Sequence, residues 1–172
     1  MSVLESAPRR SSQFRVKRRR AVGLVGAAAV LAGALSGCGG GEGVESGATV
    51  TAYVEASLCP AAKKELARRG GEAGDIRVRA ICLANPHEEG KLSLSTLGTN
   101  ARRATEDSTS VAFLETAERR ASRFTHPILE TAEIPWIASS SGSTAMSRLL
   151  QLISEADSGS LRASLQDKLN ES

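Results

Sequence analysis

The stretch ATVTAYVEASLCPAAKKELARRGG, residues 48–71, decides the fold. Its first nine residues, 48–56, alternate with β-branched side chains at the two-residue period of a strand. After Pro60 the composition changes to Ala, Lys, Glu, Leu and Arg, all strong helix formers, and the pair Gly70–Gly71 closes the run as a C-cap does. A strand feeding a helix through a short link is the first half of a βαβ unit.

The pattern then recurs along the chain. DIRVRAICLAN (75–85) sets Ile76, Val78, Ala80 and Cys82 on one face of a second strand. A polar link, PHEEGK, leads to LSLSTLGTNARRATED, where Arg102–Glu106 and Arg103–Asp107 stand at the i,i+4 spacing of a helix. TSVAFLE (109–115) reads as a third strand. TAERRASRFTHPILETAE reads as a helix that Pro127 should kink or divide. IPWIASS (134–140) is a fourth strand with its proline at the start, where a sheet tolerates one. SGSTAMSRLLQLISEA and SLRASLQDKLNES are two closing helices, separated by a Ser-Gly break. Alternating strands and helices imply right-handed crossovers and a parallel sheet. The expected fold class is therefore α/β: a small doubly wound, flavodoxin-like sheet of about four strands. With one Trp, one Tyr and three Phe, its core must come mainly from Ala, Val, Ile and Leu.

Upstream of this unit lies a segment of another kind. Arg15, Lys17, Arg18, Arg19 and Arg20 precede fifteen small or apolar residues, Ala21 to Leu35, and then Ser36-Gly37-Cys38. A basic region, a short apolar region and a small-residue exit make a secretory signal peptide. A helix of that length spans roughly 22 Å against a hydrocarbon core of ~30 Å, which disfavours a permanent span. Leu35-Ser36-Gly37-Cys38 resembles a bacterial lipobox, in which the cysteine thiol is lipidated and becomes the new N-terminus. Two acyl chains meet the double signal that stable anchoring requires, and the glycines that follow form a flexible tether. The expected organisation is a signal peptide over 1–37, a tether over 38–47 and one lobe over 48–172. The expected location is the outer side of the cell membrane, reached through a lipid on Cys38.

Charge removes one class of function. The chain carries +3, from 22 basic and 19 acidic side chains, but seven of the basic ones and only Glu5 lie in 1–37. The remainder is acidic, with 15 basic and 18 acidic residues. No basic stripe interleaved with aromatics is present, so nucleic acid is not an expected partner. Besides Cys38 only Cys59 and Cys82 occur. In an exported chain such a pair reads as a disulfide, or else as two buried thiols. If the first two strands are neighbours, both cysteines fall at one edge of the sheet.

Parallel sheets bind ligands outside the carboxyl ends of their strands. There the sequence offers Glu115-Thr116 and the cluster ASSSGST (138–144). Serine hydroxyls and free amides at a helix N-terminus suit an anion, and the same serines also serve as helix caps. Glu115 suits an ammonium group, or is a solvated loop residue. His87 and His126 are isolated, and read as solvated groups with no partner at a metal-ligand spacing. No Gly-x-Ser-x-Gly elbow and no acid–base–nucleophile set is present, so an enzyme is not expected. No cofactor or metal is implied.

The lipobox, the βαβ start, TNARRATEDSTSVAFLE (99–115), FTHPILETAEIPWIASSSGST (124–144) and AMSRLLQLI together resemble the first lobe of type I periplasmic binding proteins. The nearest branch is the branched-chain amino acid (Leu/Ile/Val) substrate-binding lipoproteins of ABC transporters. The resemblance covers roughly 48–154. It implies capture of an amino acid or similar small solute outside the membrane, and an ABC transporter permease as partner. By position it assigns ligand contacts to Glu115 and Thr116 in one loop and to Ser139, Ser140 and Ser141 in the next. Such proteins close two lobes around the ligand, and this chain is read as one. The alternative expectation is a single-lobe interaction module that has lost its ligand, with a homodimer supplying the missing wall and the last helix as a contact.

Overall fold

A computed structural model describes residues 47–156 and 160–171. The signal peptide, Cys38 and nearly all of the tether lie outside the described residues.

The fold is α/β, built on a mixed, mostly parallel five-stranded sheet. In chain order the elements are β1 (Thr49–Val54), α1 (Cys59–Arg68), β2 (Glu72–Ala73), β3 (Ile76–Cys82), β4 (His87–Glu88), β5 (Lys91–Leu92), α2 (Leu94–Glu106), β6 (Ser110–Glu115), α3 (Arg119–Thr131), β7 (Trp136–Ala138), α4 (Gly142–Ser154) and α5 (Leu161–Asn170). The sheet order is β2-β3-β1-β6-β7. β1 pairs in parallel with β3 (Val54 opposite Cys82) and with β6 (Val54 opposite Leu114), and β6 pairs in parallel with β7. The chain therefore moves outward from β1 to β3, returns past β1 to β6, and continues to β7. The gap between the ends of β1 and β6 is the switch point at which such sheets bind ligands.

Strand parity fills both faces. Val50, Ala52 and Val54 of β1 join Ala112 and Leu114 of β6, Ile137, and Met146, Leu149 and Leu165 in one core, with α1, α4 and α5 on that side. Tyr53 and Phe113 turn the other way and meet Leu83, Ala104, Leu129 and Ile134 beneath α2 and α3. All six residues of β6 are buried, as expected of a strand covered on both faces.

Three expectations need correction. The sheet has a fifth strand, the two-residue β2, paired antiparallel to β3. The link PHEEGK is folded too, into the small β4–β5 hairpin, with His87 opposite Leu92. Two-residue strands carry no period, so the sequence pattern missed both. Pro127 does not divide its helix: α3 runs unbroken from Arg119 to Thr131. Pro127 is exposed, and the carbonyl that loses its donor belongs to Arg123, also exposed.

α3 ends in a Schellman motif. Ile134 N donates to Leu129 O (2.9 Å) and Glu133 N to Glu130 O (3.0 Å), with Glu133 at φ 54°. The accompanying apolar contact is between Ile134 and Leu129, both buried. α5 is tied down by Arg162, whose guanidinium donates to Ser110 O (2.6 Å), Ser108 O (3.1 Å) and Asp107 O (3.3 Å). Among the described residues no helix is long and apolar enough to cross a membrane.

Candidate functional site at the carboxyl edge of the sheet

The cysteine pair is a disulfide. Cys59 opens α1, Cys82 ends β3, and their Cα atoms are 5.6 Å apart, within the normal range for the bond. The β1–β3 pairing sets both at the carboxyl edge, since Val54 lies opposite Cys82.

Next to it, α1 and α4 begin almost in contact. A Cβ on Gly142 would lie 1.9 Å from Leu58 O, so only glycine fits there. Neither helix start is capped by a side chain. Ser141 stands at the N-cap of α4, but its hydroxyl pairs with Ser143 Oγ (2.9 Å) instead of an amide of the first turn. Ser139 folds onto the same loop: its Oγ donates to Ser141 O (3.0 Å) and accepts from Ser141 N (3.2 Å). Ser140 is exposed. The amides leading into α1 are taken by the main chain, Leu58 N and Cys59 N both donating to Glu55 O (3.0 Å) ahead of Pro60. It is therefore the start of α4 that directs partial positive charge at the edge.

At the switch point itself the charge is negative, and it comes from a residue outside the sequence-derived site. Glu55 follows β1 directly. Its Oε2 accepts from Thr116 N (2.6 Å) and Thr116 Oγ1 (2.8 Å), and its Oε1 accepts from Ser57 Oγ (3.1 Å). Its position at the end of the first strand was the available signal. The loops after β6 and β7 are joined as well, by Ser139 N donating to Glu115 O (2.9 Å).

Glu115 itself points elsewhere. It shares its face with Phe113, lies under α3 and is 2% exposed. Its carboxylate accepts from Ser122 Oγ (3.0 Å) and Thr125 Oγ1 (3.2 Å), and His126 Nε2 lies against Oε1. His126 is also stacked on Trp136, with ring centroids 4.0 Å apart. The expectation of an isolated, solvated His126 is therefore corrected. His87 is partnered too, lying 3.2 Å from Glu118 across an exposed contact. Of the five residues assigned to a ligand, the fold brings Thr116, Ser139, Ser140 and Ser141 to the carboxyl edge, while the Glu115 side chain is enclosed beneath α3.

Among the described residues no group of three or more His, Cys, Asp or Glu side chains is arranged to hold a metal ion. No family model, curated protein or solved structure matches the chain.

Proposed function

We propose that this chain is a lipid-anchored, extracytoplasmic, solute-binding-like lobe that meets a small zwitterion, such as a neutral amino acid, at the carboxyl edge of β1, β6 and β7. The observation that carries the reading is the polarity of that edge. It holds the Glu55 carboxylate after β1, bonded to Thr116 after β6, and the start of α4 after β7, which no side chain caps. An ammonium group suits the first and a carboxylate the second. The disulfide supports the exported setting, because such bonds persist in oxidising compartments. An ABC transporter permease and the membrane remain the proposed partners.

The described residues supply one wall, so a bound solute stays largely open to water and binding is weak. With a dissociation constant of ~1 mM, ~100 mM ligand stabilises the folded chain by about 2.7 kcal/mol. Thermal unfolding of the purified chain against neutral amino acids should show a rise for one ligand class. Glu55→Gln and the double change Ser140→Ala, Ser141→Ala should each remove it. No rise with any amino acid at ~100 mM overturns the reading. The interaction module then replaces it, a reading favoured by the enclosure of Glu115.

A further inference from the structure

The two edges of the sheet differ. At one, β2 is two residues long, carries exposed Glu72 and is flanked by Gly71 and Gly74, both at positive φ. A very short, charged edge strand resists pairing with another chain. The other edge, β7, is bordered by α5, whose Gln166 lines the hollows at both ends of the strand, but the strand itself carries no bulge and no charged side chain. Phe113 N bonds to Pro135 O and Ser139 N to Glu115 O, so residues 135, 137 and 139 face β6. By the alternation of a parallel ladder, the peptide groups of Trp136 and Ala138 face outward, and nothing among the described residues bonds them. Proline is a usual way to blunt an edge, but Pro135 is turned inward and removes a donor on the β6 side only.

Along this open edge run two hollows, one at each end of β7. The hollow of about 340 Å³ at the Trp136 end is bordered by Glu130, Glu133 and Asp167. Arg162 also borders it, but its guanidinium is committed to main-chain carbonyls. The hollow of about 270 Å³ at the Ala138 end is bordered by Arg148. No ion pair among the described residues holds Arg148 or the three carboxylates. The edge is therefore acidic at one end and basic at the other.

We infer that β7 pairs with β7 of a second copy of this chain, antiparallel about a twofold axis at Ile137. In that register Trp136 lies opposite Ala138 of the other copy, and the outward peptide groups exchange four hydrogen bonds. The sheet becomes continuous through ten strands. Antiparallel pairing brings the acidic end of each copy beside Arg148 of the other, so the interface is self-complementary, as a twofold contact must be. A strand of three residues makes a small interface, so the dimer forms and dissociates readily. The inference is independent of solute binding.

Sedimentation of the whole chain across a concentration series tests it. A reversible monomer–dimer equilibrium is expected. Ala138→Pro removes an outward donor without removing a bond to β6, and should abolish the dimer while far-UV circular dichroism stays unchanged. Should that variant fail to fold, Arg148→Glu decides: it should weaken the dimer at least tenfold, with Glu133→Arg in the same chain restoring it. A chain that stays monomeric at ~1 mM overturns the inference, and so does a dimer indifferent to Arg148→Glu.

Discussion

Two carboxylates show what a single position decides. Glu115 ends β6, and Glu55 directly follows β1. Glu115 follows Phe113 by two, so it shares that residue's face and is covered by α3. Glu55 lies just beyond β1 and stays half-buried at the open edge. The parity of Glu115 was legible in TSVAFLE, but which face α3 would cover was not, because that depends on sheet order. A third carboxylate, Glu65 in α1, is nearly buried and joins two helices. It accepts from Arg68 (2.6 and 2.8 Å), Arg69 (3.1 Å) and, across to α4, Ser147 Oγ (2.8 Å). Hydrogen bonds from Arg68, then from Ser147, outweigh burial and lower its pKa from 4.5 to about 2. A carboxylate lowered on folding stabilises the folded state fully above its unfolded value, and that contribution fades as pH falls from about 4.5 towards 2. Glu65→Gln should therefore be less stable than the parent at pH 6, with the gap closing steadily below pH ~4.5. Urea midpoints for both proteins over that range check this, and a gap that ignores pH would refute it.

Helices and strands long enough to carry a period were legible from sequence; their approach distances were not. The ends of α1 and α4 were readable to within a few residues, yet nothing in SSSGSTAM announces that Gly142 touches the main chain of another helix. Two effects compete when that glycine becomes alanine. Intrinsic propensity favours alanine in a helix by about 1 kcal/mol. Against it, the new methyl would lie 1.9 Å from Leu58 O and 2.9 Å from Ala62 N, both main-chain atoms that cannot swing aside. Overpacking of this kind costs about 1–3 kcal/mol or more. The clash should win, making Gly142→Ala a net destabilisation of at least ~1 kcal/mol in equilibrium denaturation. A neutral or stabilising result would mean that α4 shifts freely over α1. The same limit explains β2 and the β4–β5 hairpin: two-residue strands exist because a neighbour is present, and a neighbour is a tertiary fact.

Across the whole molecule, order along the sheet and pairing of the cysteines are one observation. The alternation of elements implied a doubly wound sheet, and a doubly wound sheet that starts outward from β1 makes β3 its neighbour. Cys59 and Cys82 then meet without distortion of either element, which is why their pairing was legible while the route of a ligand was not. The bond joins residues 23 apart in sequence and closes a loop that contains α1, β2 and β3. On the chain-entropy model that closure stabilises by about 3 kcal/mol, by restricting the unfolded chain. For a domain of this size the loss should lower the melting temperature by roughly 10 °C. The double variant Cys59→Ser, Cys82→Ser should show that drop, and reducing agent should produce it in the parent but not in the variant. Cys59 is buried at the start of α1, beside the α1–α4 contact. Local strain on reduction would therefore reach the proposed zwitterion site as well. Any ligand-induced rise in melting temperature should shrink when the bond is opened. A parent protein whose melting point is untouched by reduction would show that the loop is constrained by packing alone, and would withdraw the disulfide as support for an exported setting.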